Sequence, residues 1–223
     1  VKVVRAVGLR RVYRGGGREV RAVDGVDLTV QPGELVAITG RSGSGKTTLL
    51  NLLGGLDRPD AGAVWVGDHE ISALDDAALT RLRRGVIGYV FQSFGLLPTL
   101  SAEENVSLPL RIAGLPTSER DRRAAAALAD VGLAARARHR PDELSGGEQQ
   151  RVAIARAIAA RPAVILADEP TAELDSTNAR AIFEILRGLV DRSEVAVILT
   201  THDAALLDLA TTVHELRDGR LIH

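Results

Sequence analysis

The chain has 223 residues, 45% hydrophobic and 26% charged, which suits one α/β domain with a proper core and excludes a disordered chain. The formal net charge is −1 with acids and bases interspersed, a balance that argues against a nucleic-acid surface. With no cysteine, a disulfide framework, a thiolate metal site and a cysteine nucleophile are all excluded.

Aromatic residues make up only 3% of the chain, so Ala, Leu, Val and Ile must fill the core. The longest apolar runs, such as Ala124 to Ala129, reach about six residues, far below the roughly eighteen that a membrane span needs. Lys2, Arg5, Arg10 and Arg11 interrupt the first apolar stretch, so no secretory signal is expected and a cytoplasmic location is.

Residues 1–38 alternate apolar and polar in short runs, for example Val26-Asp27-Leu28-Thr29-Val30, broken at Gly15-Gly16-Gly17 and Gln31-Pro32-Gly33. That pattern predicts hairpins of a mixed or antiparallel sheet. Tyr13 falls just before the triple glycine and, by pattern alone, is a half-buried strand residue.

Leu35-Val36-Ala37-Ile38 reads as a buried strand and Leu49 to Leu53 as a helix. Between them runs Gly40-Arg41-Ser42-Gly43-Ser44-Gly45-Lys46-Thr47-Thr48, a phosphate-binding loop. A triphosphate needs several donors aimed from a small arc, and Gly40, Gly43 and Gly45 allow the backbone to curl that tightly. The helix that follows turns its unpaired N–H groups and positive dipole end toward the anion. Lys46 brings a full charge to the β- and γ-phosphates, the Thr47 hydroxyl can ligate Mg²⁺, and Thr48 can donate to a nearer phosphate. Ser42 and Ser44 complete the loop.

Gly54-Gly55 ends that helix, Pro59-Asp60-Ala61-Gly62 turns the chain, and Ala63 to Val66 forms another strand. Leu74 to Arg83 has helical spacing, and a strand over Val86 to Val90 delivers Gln92 at its end. From about Ser93 to Ala160 the chain becomes mostly helical, with Pro98, Pro109, Pro116 and Pro141 dividing the pieces. One helix runs over Ser118 to Val131, with Ser118 as its N-cap and Gly132 as its stop. The block reads as a helical insertion between two strands of the core.

Leu144-Ser145-Gly146-Gly147-Glu148 opens a further helix, with Ser145 and Glu148 at capping-box spacing. The amides of Gly146 and Gly147 also offer an anion site at that helix end. Ala163 to Ala167 is a continuous apolar run of the parallel-sheet kind, ending in Asp168-Glu169-Pro170. If this strand neighbours the phosphate loop, Asp168 can hold Mg²⁺ through water and Glu169 can face the attacking water. Ser176 to Val190 is an amphipathic helix, and Val195 to Leu199 is a last buried strand that leads into Thr200-Thr201-His202-Asp203. Beyond another helix, Val213 to Ile222 forms a hairpin about Asp218-Gly219.

Strand followed by helix recurs through the core, so the strands should be largely parallel and their carboxyl ends should share one face. Gly40 to Thr48, Gln92, Asp168-Glu169 and His202 all sit at such ends.

Taken together and in order, these motifs closely resemble the ATP-binding subunit of ABC transporters over essentially the whole chain. Gly40–Thr48 is similar to Walker A, Val164–Glu169 to Walker B, and Leu144–Arg151 to the signature motif. Gln92 matches the Q-loop, Leu174-Asp175 the D-loop, His202 the switch histidine, and Tyr13 the aromatic on which adenine stacks. The segment Phe91 to Leu100, followed by Glu104-Asn105-Val106, is similar to the macrolide-exporter and lipoprotein-release subgroup. One departure is Ala172-Glu173, where that subgroup usually has Gly-Asn.

The resemblance implies a P-loop core of mainly parallel sheet, with an N-terminal antiparallel β subdomain and a helical subdomain. The expected boundaries are 1–92 and 161–223 for the core and 93–160 for the helices. It also implies ATP and Mg²⁺ as ligands, with Thr47, Gln92 and Asp168 toward the metal. Two copies would sandwich two ATP molecules, Ser145, Gly146 and Gly147 of one copy reaching the nucleotide held by the other, with Asp175 also among the nucleotide-binding residues. Glu169 would act as general base, with Lys46, Gln92 and His202 assisting. A separate integral-membrane permease would be the partner, placing the chain on the inner face of the cell membrane. The competing expectations are a soluble ATPase of DNA repair or translation, and a regulatory or scaffolding ATPase of the cell-division type.

Overall fold

The computed structural model describes residues 3–15 and 18–222, so the turn expected at Gly16 and Gly17 lies outside the described residues. In chain order the strands are β1 (Val4–Gly15), β2 (Arg18–Val30), β3 (Leu35–Thr39), β4 (Ala61–Val66), β5 (His69–Glu70), β6 (Ile87–Val90), β7 (Val164–Ala167), β8 (Ala196–Thr200), β9 (Thr212–Arg217) and β10 (Arg220–Ile222). The α-helices are α1 (Lys46–Leu53), α2 (Asp76–Val86), α3 (Ala102–Ile112), α4 (Thr117–Asp130), α5 (Gly146–Ile158) and α6 (Ser176–Ser193).

The strands form two sheets. One is antiparallel, in the order β2-β1-β4-β5, and the other runs β10-β9-β3-β8-β7-β6. In the second, β9, β3, β8, β7 and β6 are parallel and only β10 runs the other way. The expected fold class is therefore the observed one.

Because successive side chains of a strand point to opposite faces, the central strands divide their residues between two cores. Leu35, Ala37, Ile165, Ala167, Val197 and Leu199 pack with α3 to α6 on one side. Val36, Ile38, Val164, Leu166, Ala196 and Ile198 pack with α1, α2 and the antiparallel sheet on the other. Both faces of the parallel sheet are buried, which is why these strands read as continuous apolar runs rather than as alternations.

Three local expectations differ from the fold. The helix expected to be capped by Ser118 starts at Thr117, with Pro116 in the N-cap position and no side-chain cap. The Pro116 carbonyl accepts from the amides of Glu119 and Arg120, so the proline, which needs no donor of its own, starts the helix. Pro109 does not divide two pieces; it lies inside α3. A proline there costs about 3 kcal/mol. Full burial of Val106 and Leu110 on the same helix returns about 1.5–3 kcal/mol each, so the helix continues. The helix expected after His202 is a 3₁₀ segment, Ala204–Leu209.

One topological point bears directly on the site. The strand carrying Asp168 does not neighbour the strand that leads into the phosphate loop, because β8 lies between β3 and β7.

Candidate nucleotide site

The phosphate loop leaves β3 and is wedged between other strands. A Cβ on Gly45 would run into the Ala22 carbonyl of β2, and one on Gly40 into the Leu216 carbonyl of β9. Both positions also have positive φ, +150° and +105° for Gly40 and Gly45, so glycine is required twice over. Gly45 is the N-cap of α1 and supplies no side-chain cap, leaving the first amides of the helix for an outside anion. Ser44 Oγ is buried without a hydrogen-bond partner, and phosphate oxygens suit such an orphan hydroxyl.

Lys46 is only 6% exposed, and its ammonium donates to the carbonyls of Gly40 and Arg41 at 2.9 and 3.3 Å. The same Nζ lies 3.2 Å from Glu169 Oε1. The other carboxylate oxygen of Glu169 stands 3.1 Å from His202 Nδ1, so one acid bridges Lys46 and His202. Glu169 has φ +43°, a left-handed backbone at a non-glycine residue of the kind that marks functional turns.

Tyr13, Ser42, Gly43, Gly45, Lys46, Thr47, Thr48, Gln92 and Glu169 all border one cleft of about 430 Å³. Tyr13 is 42% exposed rather than half-buried packing, and its hydroxyl donates to Asp57 Oδ2 at 2.8 Å. The Arg11 guanidinium lies over the ring, 4.9 Å from its centre, and is itself held by Asp57 and Asp60. The ring is thereby fixed at the cleft edge. Thr47 and Asp168 also share the wall of an adjoining cavity of about 330 Å³. A roomier groove of about 480 Å³, between α4 and the ends of α5 and α6, contains none of the candidate residues.

The signature residues and Asp175 do not line this cleft. Ser145 caps α5: it accepts from the Glu148 amide at 3.3 Å, while the Glu148 carboxylate accepts from the Ser145 amide and hydroxyl, each at 2.9 Å. The Ser145 amide above all, aided by the Arg136 and Arg151 charges, holds the Glu148 carboxyl below its ordinary range. Gly147 packs against Asn178 and Gly146 approaches Leu174. Asp175 caps α6, accepting from the Asn178 amide and side chain, contacts that pull its carboxyl down as well. Signature and D-loop thus form one surface, separate from the cleft.

Residues 23–172, well over half of the chain, match the sequence profile of the family described as ABC transporter.

The chain belongs to the ABC transporter family.

It is an ABC-type ATPase. Among its relatives, the lipoprotein-releasing system ATP-binding protein LolD of Chromohalobacter salexigens is 48% identical over 98% of this chain and 92% of that protein. The macrolide export ATP-binding/permease protein MacB of Azoarcus sp. is 45% identical over 99% of this chain, which spans 33% of that protein's length. A solved dimer of the ATP-binding cassette MJ0796, bound to ADP and Pi, superposes with a TM-score of 0.90 at 41% identity, covering 99% of this chain and 97% of that one.

Three further residues of this ABC ATPase hold the site together and were not singled out from sequence for a role in it. Thr200, fully buried, donates its hydroxyl to Asp168 Oδ1 at 2.7 Å and accepts from the Glu169 amide at 2.8 Å. Arg156 of α5 donates to the carbonyls of Phe94 and Gly95 in the Q-loop, and burial lowers its pKa. Asn105 of α3, 1% exposed, accepts from the Leu97 amide and donates to the carbonyls of Leu97, Leu100 and Ser101. A buried Asn beside Val106 was the one available sequence signal; the other two are long-range contacts.

Among the described residues no helix is long and apolar enough to cross a membrane.

Proposed function

We propose that the chain is the ATP-hydrolysing subunit of a transporter of the lipoprotein-release or macrolide-export type, working as a pair of copies on a separate membrane permease. The observation that carries this reading is the Lys46–Glu169–His202 chain of contacts beside the phosphate loop, with the signature motif held apart from it. A site with its catalytic acid and phosphate loop on one surface and its signature serine on another is completed by a second copy. The dimeric form of the similar MJ0796 cassette supports the same arrangement.

In this reading Lys46 and the amides opening α1 hold the phosphates of ATP, and Tyr13 takes the adenine. Glu169 accepts the proton of the attacking water, and His202 fixes the orientation of that carboxylate. Hard oxygen donors, the Thr47 hydroxyl and the Asp168 carboxylate, share one cavity wall and suit Mg²⁺, with Gln92 on the neighbouring cleft wall. When bound, Mg²⁺ neutralises phosphate charge as it develops. Ser145, Gly146 and Gly147 meet the nucleotide of the partner copy, and Asp175 stiffens the surface that carries them.

Residues 93–160 form the helical subdomain of this reading, with 1–92 and 161–223 as the core. The permease docks in the groove of about 370 Å³ lined by Arg83, Phe91, Pro109, Ile112 and Arg156, which adjoins Gln92 and exposes Phe91 and Ile112 at 41% and 54%. The chain then sits on the cytoplasmic face of the membrane through that contact. The test is the Glu169→Gln variant with MgATP: light scattering should show a stable dimer and phosphate release should cease. A variant that stays monomeric at saturating MgATP sinks the paired-copy mechanism.

A further inference from the structure

Thr200 stands at the end of β8, the strand that separates the phosphate-loop strand from the strand carrying Asp168 and Glu169. The ladder between β7 and β8 runs from Val164 opposite Ala196 to Ala167 opposite Leu199 and then stops. Just beyond β7 the Asp168 amide still donates to the Val90 carbonyl of β6, and it is Glu169, in its left-handed conformation, that leaves the strand. The Glu169 amide has therefore lost its place in the ladder. The Thr200 hydroxyl takes it up at 2.8 Å, a side chain standing in for the next backbone rung.

That hydroxyl has one proton. With the Glu169 N–H on its acceptor side, the proton is aimed at Asp168 Oδ1, 2.7 Å away. Oδ2 is the carboxylate oxygen with no protein partner among the described residues.

We propose that Thr200 is a positioning residue for ATP hydrolysis, its single buried hydroxyl fixing both the carboxylate of Asp168 and the backbone that aims Glu169. The inference rests on the roles given above to those two acids. One hydroxyl thus sets the two acids in different tasks: it ties down one oxygen of Asp168, leaving the other for a metal-bound water, and it pins Glu169 through the main chain, leaving its carboxylate free to face Lys46 and His202. Valine has the shape of threonine and neither of its hydrogen bonds, so Thr200→Val would leave a buried amide unpaired and let the Asp168 carboxylate rotate.

The experiment compares Thr200→Val and Thr200→Ser in the full chain. Loss of an orienting outer partner typically costs about 10- to 100-fold in activity or metal affinity. For Thr200→Val the expected result is a fall of that size in kcat with KM for ATP little changed, since Lys46 and the loop are intact. Weaker Mn²⁺ uptake by the ATP complex, read by electron paramagnetic resonance, and faster hydrogen exchange at the Glu169 amide should accompany it. Thr200→Ser keeps the hydroxyl and should restore all three. Wild-type kcat, Mn²⁺ uptake and exchange in Thr200→Val overturn the proposal, as does a serine variant no better than valine, which would make the methyl group the part that matters. Should Thr200→Val not fold, Thr200→Ala takes its place against the same serine variant, with retained ATP binding as the criterion of folding. Glu169→Gln is run in parallel. If it keeps turnover, the assignment of the acids has failed; if it is inactive while Thr200→Val is normal, only the role of Thr200 has failed.

Discussion

Lys46 Nζ and Glu169 Oε1 lie 3.2 Å apart although the strands that lead to them, β3 and β7, are separated by β8. The contact is possible because the two chain ends reach over β8 from opposite sides. The lysine leaves the first turn of α1, and the acid is turned by a positive φ. Glu169 is therefore placed by backbone conformation as much as by strand order.

Replacing Lys46 by methionine keeps the stem and removes the charge. One charge-assisted hydrogen bond is worth about 1.5–3 kcal/mol. Loss of one such bond to a phosphate should weaken nucleotide binding by roughly 10- to 150-fold. Isothermal titration with the non-hydrolysable analogue measures it, and affinity within twofold of wild type would remove Lys46 from the phosphate site.

Tyr13→Ala should weaken ATP binding by about 1–3 kcal/mol, the usual worth of one base stacked on an aromatic ring. Tyr13→Phe breaks the bond to Asp57 and keeps the ring, so it should lie between the two. Unchanged affinity in the alanine variant returns Tyr13 to a plain strand residue.

The Q-loop is held from two helices, by Arg156 on α5 and Asn105 on α3. Asn105→Leu removes the acceptor for the Leu97 amide and the two N–H donors shared among the carbonyls of Leu97, Leu100 and Ser101, and should destabilise the fold by about 2–4 kcal/mol. For a domain of this size that is a loss of about 5–15 °C in Tm, readable by calorimetry. Arg156→Leu should instead speed hydrogen exchange over residues 93–97 and lower ATPase activity. Normal exchange there would show that the guanidinium does not restrain the loop.

Glu148 and Asp175 both cap helices and both have lowered carboxyl pKa values, chiefly through the amides of Ser145 and Asn178. A group whose folded pKa is depressed stabilises the fold above its unfolded pKa, and the contribution is lost as pH falls through the lower, folded value. Stability should therefore drop on acidification from about pH 5 downward. Glu148→Gln and Asp175→Asn should each flatten that acid limb, measured by urea unfolding as a function of pH. A slope identical to wild type in both would place the acid sensitivity elsewhere.

The phosphate loop was legible in the sequence because its chemistry is local: the glycines, Lys46 and the threonines act through a few consecutive residues between a strand and a helix. The capping box at Ser145–Glu148 and the apolar runs of the parallel strands were legible for the same reason, since helix ends and burial write short-range patterns. What only the tertiary structure decided is which strand ends meet. Sequence order allowed Asp168 to neighbour the loop directly; the fold instead inserts β8, and with it Thr200, whose hydroxyl ties together two acids more than thirty positions earlier in the chain. Arg156 likewise reaches back about sixty residues to grip Phe94 and Gly95. Long-range hydrogen bonds of this kind depend on sheet order and helix packing, and no spacing rule along the chain encodes them.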